Sequence, residues 1–120
     1  MYVTKFPDLQ NLPYMSYDTE TTGLVYPKDK VFGFSLTIPS KENSTGFVSY
    51  YFDIRRQPEA VRWFNKEMET YEGVVYMINA HFDSKMSHNT GINIPLHLIR
   101  DVSIYAVSSN ENELLYSLDY

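Results

Sequence analysis

At 120 residues, with 43% hydrophobic and 16% aromatic side chains, the chain can bury one core of its own but not two, which excludes a disordered chain and a multidomain one. No apolar run approaches the ~18 residues of a membrane span, and the first residues lack the basic-then-apolar pattern of a signal peptide, so a cytoplasmic protein with no membrane partner is expected. The absence of cysteine excludes disulfides and thiolate metal sites, and the net charge of −5 argues against broad charge-driven attachment to duplex nucleic acid.

Met1 to Pro13 holds two of the prolines and reads as an extended lead-in anchored by Leu9 and Leu12. Tyr14 to Glu20 is rich in aromatic and β-branched residues and predicts a strand, stopped by Gly23. Val25 to Lys30 contains Pro27 and reads as a loop. Val31 to Ile38 predicts a second strand ended by Pro39, and Gly46 to Phe52 a third. The short links between them suggest an antiparallel meander. Pro58 opens a helix whose apolar face is set by Val61, Phe64, Met68 and Tyr71, with Gly73 as its end. Val74 to Ile78 reads as a strand covered on both faces and lying parallel to the first. Phe82 to Thr90 predicts a helix capped by Gly91, Ile92 to Pro95 an extended piece, and Asp101 to Ser109 a further helix with Val102, Tyr105 and Ala106 inward. The whole is a mixed α/β domain.

Chemistry concentrates in the first strand. Side chains alternate along a strand, so Asp18 and Glu20 share one face while Thr19 takes the other. Two carboxylates in one small volume repel each other unless a cation lies between them. For an all-oxygen donor set that cation is Mg²⁺ or Mn²⁺. Glu67-x-Glu69 and Glu111-x-Glu113 repeat the spacing, but they lack the apolar lead-in and the Thr21-Thr22-Gly23-Leu24 exit. Asp83, just inside a helix N-terminus at the mouth of a parallel strand, stays ionised there and can face the end of the neighbouring strand. The spacing of His81, His88 and His97 fits no common zinc pattern. Arg55 and Arg56 beside Tyr50, Tyr51 and Phe52 offer either a stacking platform for single strands or a solvated strand end.

Asp18-Thr19-Glu20-Thr21-Thr22-Gly23-Leu24 resembles the first motif of the DEDD family of 3′–5′ exonucleases, the proofreading nucleases of DNA polymerases. Asn79-Ala80-His81-Phe82-Asp83 resembles the second, in which an Asn precedes a catalytic Asp. Arg100 to Ala106 and Leu114 to Leu118 resemble the segments that follow it in the exonuclease domains of family A polymerases, phage or bacterial ones above all. The resemblance implies a ribonuclease H-like mixed sheet, three antiparallel strands plus a parallel one, with flanking helices, over a single domain spanning 1–120. It implies that Asp18, Glu20 and Asp83 are catalytic and hold the metal, with two ions about 4 Å apart in the complete site. Thr19, Thr21, Leu24, Asn79 and Phe82 match positions that meet the single-stranded DNA 3′ end. The location it implies is the cytoplasm of a bacterium or phage-infected host.

The third family motif, a Tyr or His followed by the fourth acid, has no counterpart in the sequence. Tyr14 to Asp18 falls inside the first motif, and Tyr116 to Asp119 has the wrong spacing. The chain is therefore expected to be C-terminally incomplete. The alternatives to a working nuclease are a catalytically incomplete protein that binds nucleic acid or a polymerase, and one subunit of a split DNA polymerase whose partner chain supplies the missing motif.

Overall fold

A computed structural model describes residues 6–23, 25 and 28–102. Five strands form one sheet, β1 (Tyr14–Thr21), β2 (Val31–Pro39), β3 (Phe47–Asp53), β4 (Val74–Met77) and β5 (Ile99–Asp101), in the spatial order β3-β2-β1-β4-β5. Helix α1 (Glu59–Thr70) lies between β3 and β4, and α2 (Ala80–Thr90) between β4 and β5. The first three strands form the expected antiparallel meander, while β4 runs parallel to β1 and β5 parallel to β4. The class is α/β with a mixed sheet.

One face of the sheet is built for burial. Met15 and Tyr17 of β1, Phe34 and Leu36 of β2, Phe52 of β3, and Val75 and Met77 of β4 are all nearly inaccessible. Both helices lie against this face. The Phe64 ring of α1 stacks on Tyr17 at 5.6 Å and tilts against Phe34 at 5.2 Å, and Phe34 meets Phe52 at 5.0 Å. Burying each of these rings stabilises the fold by roughly 1.5–3 kcal/mol, so the aromatic cluster dominates the core. Ala60, Phe64 and Met68, four residues apart, form the inner stripe of α1. Register puts the other residues of β1, Ser16, Asp18 and Glu20, on the opposite face, where all are exposed.

Four sequence expectations are revised. Helix α1 ends at Thr70 and not at Gly73, because Tyr71 is already extended (ψ 134°) and turns its ring into the core. β4 is covered on one face only: Val75 and Met77 are buried, Tyr76 is half-buried, and Ile78 is 69% exposed. Asp101 ends a strand where a helix was expected to begin: Ile99–Asp101 closes the sheet as β5 with Val75 opposite Ile99 and Met77 opposite Asp101, and helix starts one residue later, at Val102, the last described residue. A parallel strand edge left beside β4 has unpaired N–H and C=O groups to satisfy, and this short piece satisfies them. α2 begins earlier than the Phe82 to Thr90 expectation, at Ala80. Tyr105 and Ala106, expected on that helix, and Leu114 to Leu118 lie outside the described residues.

Gly91 ends α2 as its sequence position foretells. It takes φ 96°, a left-handed conformation open to glycine at no steric cost, and its N–H reaches the carbonyls of Ser87 and His88.

Candidate active site

Parallel pairing brings the C-terminal ends of β1, β4 and β5 to one edge of the sheet. In such sheets the crevice beyond the carboxyl ends of the strands is where ligands are held. Asp18 lies on β1 two residues past Ser16, which pairs with Tyr76; α2 starts just after β4 and carries Asp83 in its first turn; Asp101 ends β5.

The acids differ in setting. Asp18 and Glu20 are exposed on one face of β1, and an Asp18 carboxylate oxygen accepts the N–H of Thr19 at 3.0 Å. Asp83 is 7% exposed and stands on the other face, where the Thr19 hydroxyl donates to its Oδ1 at 3.0 Å. Burial pushes the Asp83 carboxyl up from its ordinary value to about 6; the Thr19 hydrogen bond works against this, and the charges of Asp18 and Asp101 add to it. Asp83 stays mostly ionised near neutral pH, as expected at a helix N-terminus, but desolvation raises its pKa and leaves a protonated minority there. The same neighbourhood acts on the buried Tyr17 hydroxyl, which burial raises far above its usual value, with Asp83 and Asp18 contributing after the opposing Ser87 hydrogen bond.

The charges of Asp18 and Asp101 thus reach Asp83 across the strand ends. Glu20 is not among the charges acting on Asp83. Among the described residues, no three acidic, cysteine or histidine side chains converge closely enough to hold an ion between them. The donor chemistry still suits a hard divalent cation: the groups are all carboxylates, and a desolvated acid pressed by like charges is relieved by a cation.

The other predicted site residues are placed as follows. Thr21 donates its hydroxyl to the Gly23 carbonyl at 2.9 Å, so it closes the turn that leaves β1. Asn79 sits exposed at the N-cap of α2 in a left-handed conformation (φ 55°), and its carbonyl accepts the N–H groups of Phe82 and Asp83. Phe82 is half-buried and packs on the core. Leu24 lies outside the described residues. Beside β3, Arg55 pairs with Asp53 at 3.1 Å and lies 4.4 Å from the centre of the Phe32 ring. A cavity of about 610 Å³ between α1, α2 and the Ile92–Leu96 stretch is lined by Met68, Ser87 and Ile92 but by none of these acids.

Two residues escaped the sequence reading. Asp101 was hidden in what looked like helix, and a short strand of this kind has no periodicity to betray it. Asp29, nearly buried, accepts the Thr22 hydroxyl at 3.0 Å and the Val25 N–H at 2.8 Å, stapling the loop that follows the acid strand. The Val25 N–H, then the Thr22 hydroxyl and the Lys28 charge, hold its carboxyl below the usual range against the opposing effect of burial. Its signal was faint: one acid in a polar loop.

No helix among the described residues is long and apolar enough to cross a membrane. No family model matches the chain. Along 96% of its length it is 42% identical to a DNA polymerase, DpoZ, of Vibrio phage phiVC8. Along 95% it is 35% identical to DpoZ of Acinetobacter phage SH-Ab 15497 and 32% identical to DpoZ of Salmonella phage PMBT28. The match takes in only 19%, 17% and 17% of those relatives. The chain is therefore related, over nearly all of its own length, to less than a fifth of these phage DNA polymerases.

Proposed function

We propose that this chain is a metal-dependent 3′–5′ exonuclease domain of the DNA-proofreading type, belonging to the DEDD group with a ribonuclease H-like sheet. The observation that carries the reading is that the charge of Asp18 reaches Asp83, from a segment far apart in sequence, near the shared end of parallel strands β1 and β4. Strand order β3-β2-β1-β4-β5 suits the fold, and the similarity to phage DNA polymerases supplies the context in which a proofreading activity makes sense.

Asp18 and Asp83, with Glu20 one strand step along, would hold Mg²⁺ or Mn²⁺. When bound, the ions supply a nucleophile at neutral pH and neutralise charge on the phosphate undergoing hydrolysis. The remaining work falls to the protein. Asp18 and Glu20 present carboxylates to the solvent side of β1, where a strand end can approach. Asp83 contributes a charge from the protein side, kept there by the fold of α2 on β1. Thr21 and Gly23 shape the turn beside the acids, and Asn79 and Phe82 stand at the start of α2, where a terminal nucleotide would lie.

The test is degradation of a 3′-labelled single strand in Mn²⁺ by the wild-type chain and by Asp18→Ala, with Mn²⁺ binding followed by calorimetry. Metal binding and nucleotide release that both vanish in Asp18→Ala are expected. Equal rates in the two proteins, or an unchanged Mn²⁺ affinity, refute the assignment.

A second reading, a segment or subunit that acts together with polymerase sequence supplied elsewhere, is favoured by the small share of each relative that the chain spans. In that case Mn²⁺ binding appears in the isolated chain and nuclease activity only when the remaining polymerase sequence is restored.

A further inference from the structure

The face of β1 that bears Tyr17 and Thr19 meets α2 through a buried polar seam. Tyr17 Oη lies 2.7 Å from Ser87 Oγ, and Thr19 Oγ1 lies 3.0 Å from Asp83 Oδ1. The spacing is self-consistent. Two residues along a strand advance ~6.7 Å and four along a helix ~6 Å, so a strand and a helix running oppositely can make both contacts at once. The Tyr17 to Ser87 bond is buried and the Thr19 to Asp83 bond partly so, and in such a seam a hydroxyl can either serve structure alone or fix the charge it touches. The two are distinguishable by chemistry. The Tyr17 to Ser87 bond joins two neutral groups, whereas the Thr19 bond ends on a carboxylate, whose ionised form accepts and does not donate.

We propose that Thr19 is a positioning residue for Asp83: its hydroxyl fixes Oδ1 from the protein side and leaves Oδ2 to serve a divalent cation at the strand edge. The inference rests on the exonuclease reading and gives the middle residue of the acid-x-acid stretch a task distinct from contact with the nucleotide. Several features suit Thr19 to it. It is on the opposite face from Asp18 and Glu20, the face against which α2 and Asp83 lie. As a β-branched residue it has few χ1 choices, which holds the hydroxyl toward α2 at little entropic cost. Its own backbone N–H is engaged by Asp18, tying two of the acids to one residue. Groups that hold a metal ligand from behind characteristically change metal affinity by ~10–100-fold when removed.

Thr19→Val keeps the shape and removes the donor. Thr19→Ser keeps the donor and relaxes the rotamer. Tyr17→Phe removes the neighbouring bond of the same seam but leaves the carboxylate untouched. Mn²⁺ affinity is measured by calorimetry on the full chain for wild type and each variant, alongside thermal midpoints and nucleotide release as a function of Mn²⁺ concentration. The expected result is an affinity at least about 10-fold weaker in Thr19→Val, substantial recovery in Thr19→Ser, and loss of stability without a comparable affinity change in Tyr17→Phe. Unchanged affinity in Thr19→Val overturns the inference while leaving the nuclease reading intact. Equal weakening in Tyr17→Phe also overturns it, because the seam then acts only as packing. A wild-type chain that binds no Mn²⁺ overturns both.

Discussion

The raised pKa of Asp83 makes the metal-free protein less stable as the pH rises, which is the reverse of the usual behaviour of a hydrogen-bonded carboxylate. The ordinary value is 3.8 and the folded value about 6, so between these the native state binds more protons than the unfolded chain. Stability is then fully present below about pH 4, falls as pH rises through 6, and is flat above. That difference corresponds to at most about 3 kcal/mol, and to less where solvent reaches the half-covered carboxyl and screens its neighbours. Asp29 and Asp53 act in the other direction. Hydrogen bonds lower their pKa values, so their contribution is present above the ordinary carboxylate range and lost on acidification.

Asp83→Asn separates the two effects, since the amide keeps an oxygen for the Thr19 hydroxyl and carries no charge at any pH. Thermal midpoints of both proteins are recorded from pH 4 to 8 in chelator. Loss of stability below the carboxylate range is common to both and cancels in the difference. What remains is a wild-type deficit that opens between about pH 4 and 6 and then levels, at most on the order of 10 °C at roughly 4 °C per kcal/mol. Added Mn²⁺ closes that deficit in the wild type and does nothing for Asp83→Asn, because an ion that binds the native state stabilises it by mass action. Parallel curves across the whole range refute the reasoning, for they mean that Asp83 is solvated in the folded chain or that the charge of Asp18 does not reach it.

Other consequences are read more directly. Gly33→Ala is expected to cost about 1–3 kcal/mol in urea denaturation, since a Cβ at Gly33 overlaps the Tyr51 hydroxyl lying across it, beside Glu20 in the register. Asp29→Ala leaves the Val25 N–H and the Thr22 hydroxyl without their acceptor, and faster proteolysis between residues 22 and 29 with a loss of about 1–3 kcal/mol is expected. Phe64→Ala removes the ring that stacks on Tyr17 and contacts Phe34, and a loss of about 3–5 kcal/mol is expected in the same denaturation experiment. Asp101→Asn removes one of the charges acting on Asp83, so the pH-dependent deficit described above shrinks without disappearing.

What could be read from the chain and what could not divides along a physical line. The face of each residue on β1 follows from a period of two, and the inner stripe of α1 from steps of four, because both are local geometry. The stop of α2 at Gly91 is equally local. Pairing partners are not. Nothing near Ile99 announces that it joins β4, and Ile78 was given a covered face because an apolar run looks the same whether one side or two will be packed. The acids were legible as residues and not as an electrostatic unit. Their alternation on β1 predicted that Asp18 and Glu20 would share a face, but it could not tell that Asp83 would come to the opposite face and be met there by the residue between them. That contact spans 64 positions in sequence, and only packing of α2 on β1 creates it. Burial then raises the Asp83 carboxyl against the helix end that favours its charge, since the helix-terminus effect amounts to at most ~2 kcal/mol while desolvation of a carboxyl can exceed that. The desolvation of an acid that feels the charges of Asp18 and Asp101 is a cost borne by the empty fold, and it is the kind of cost that a bound cation removes.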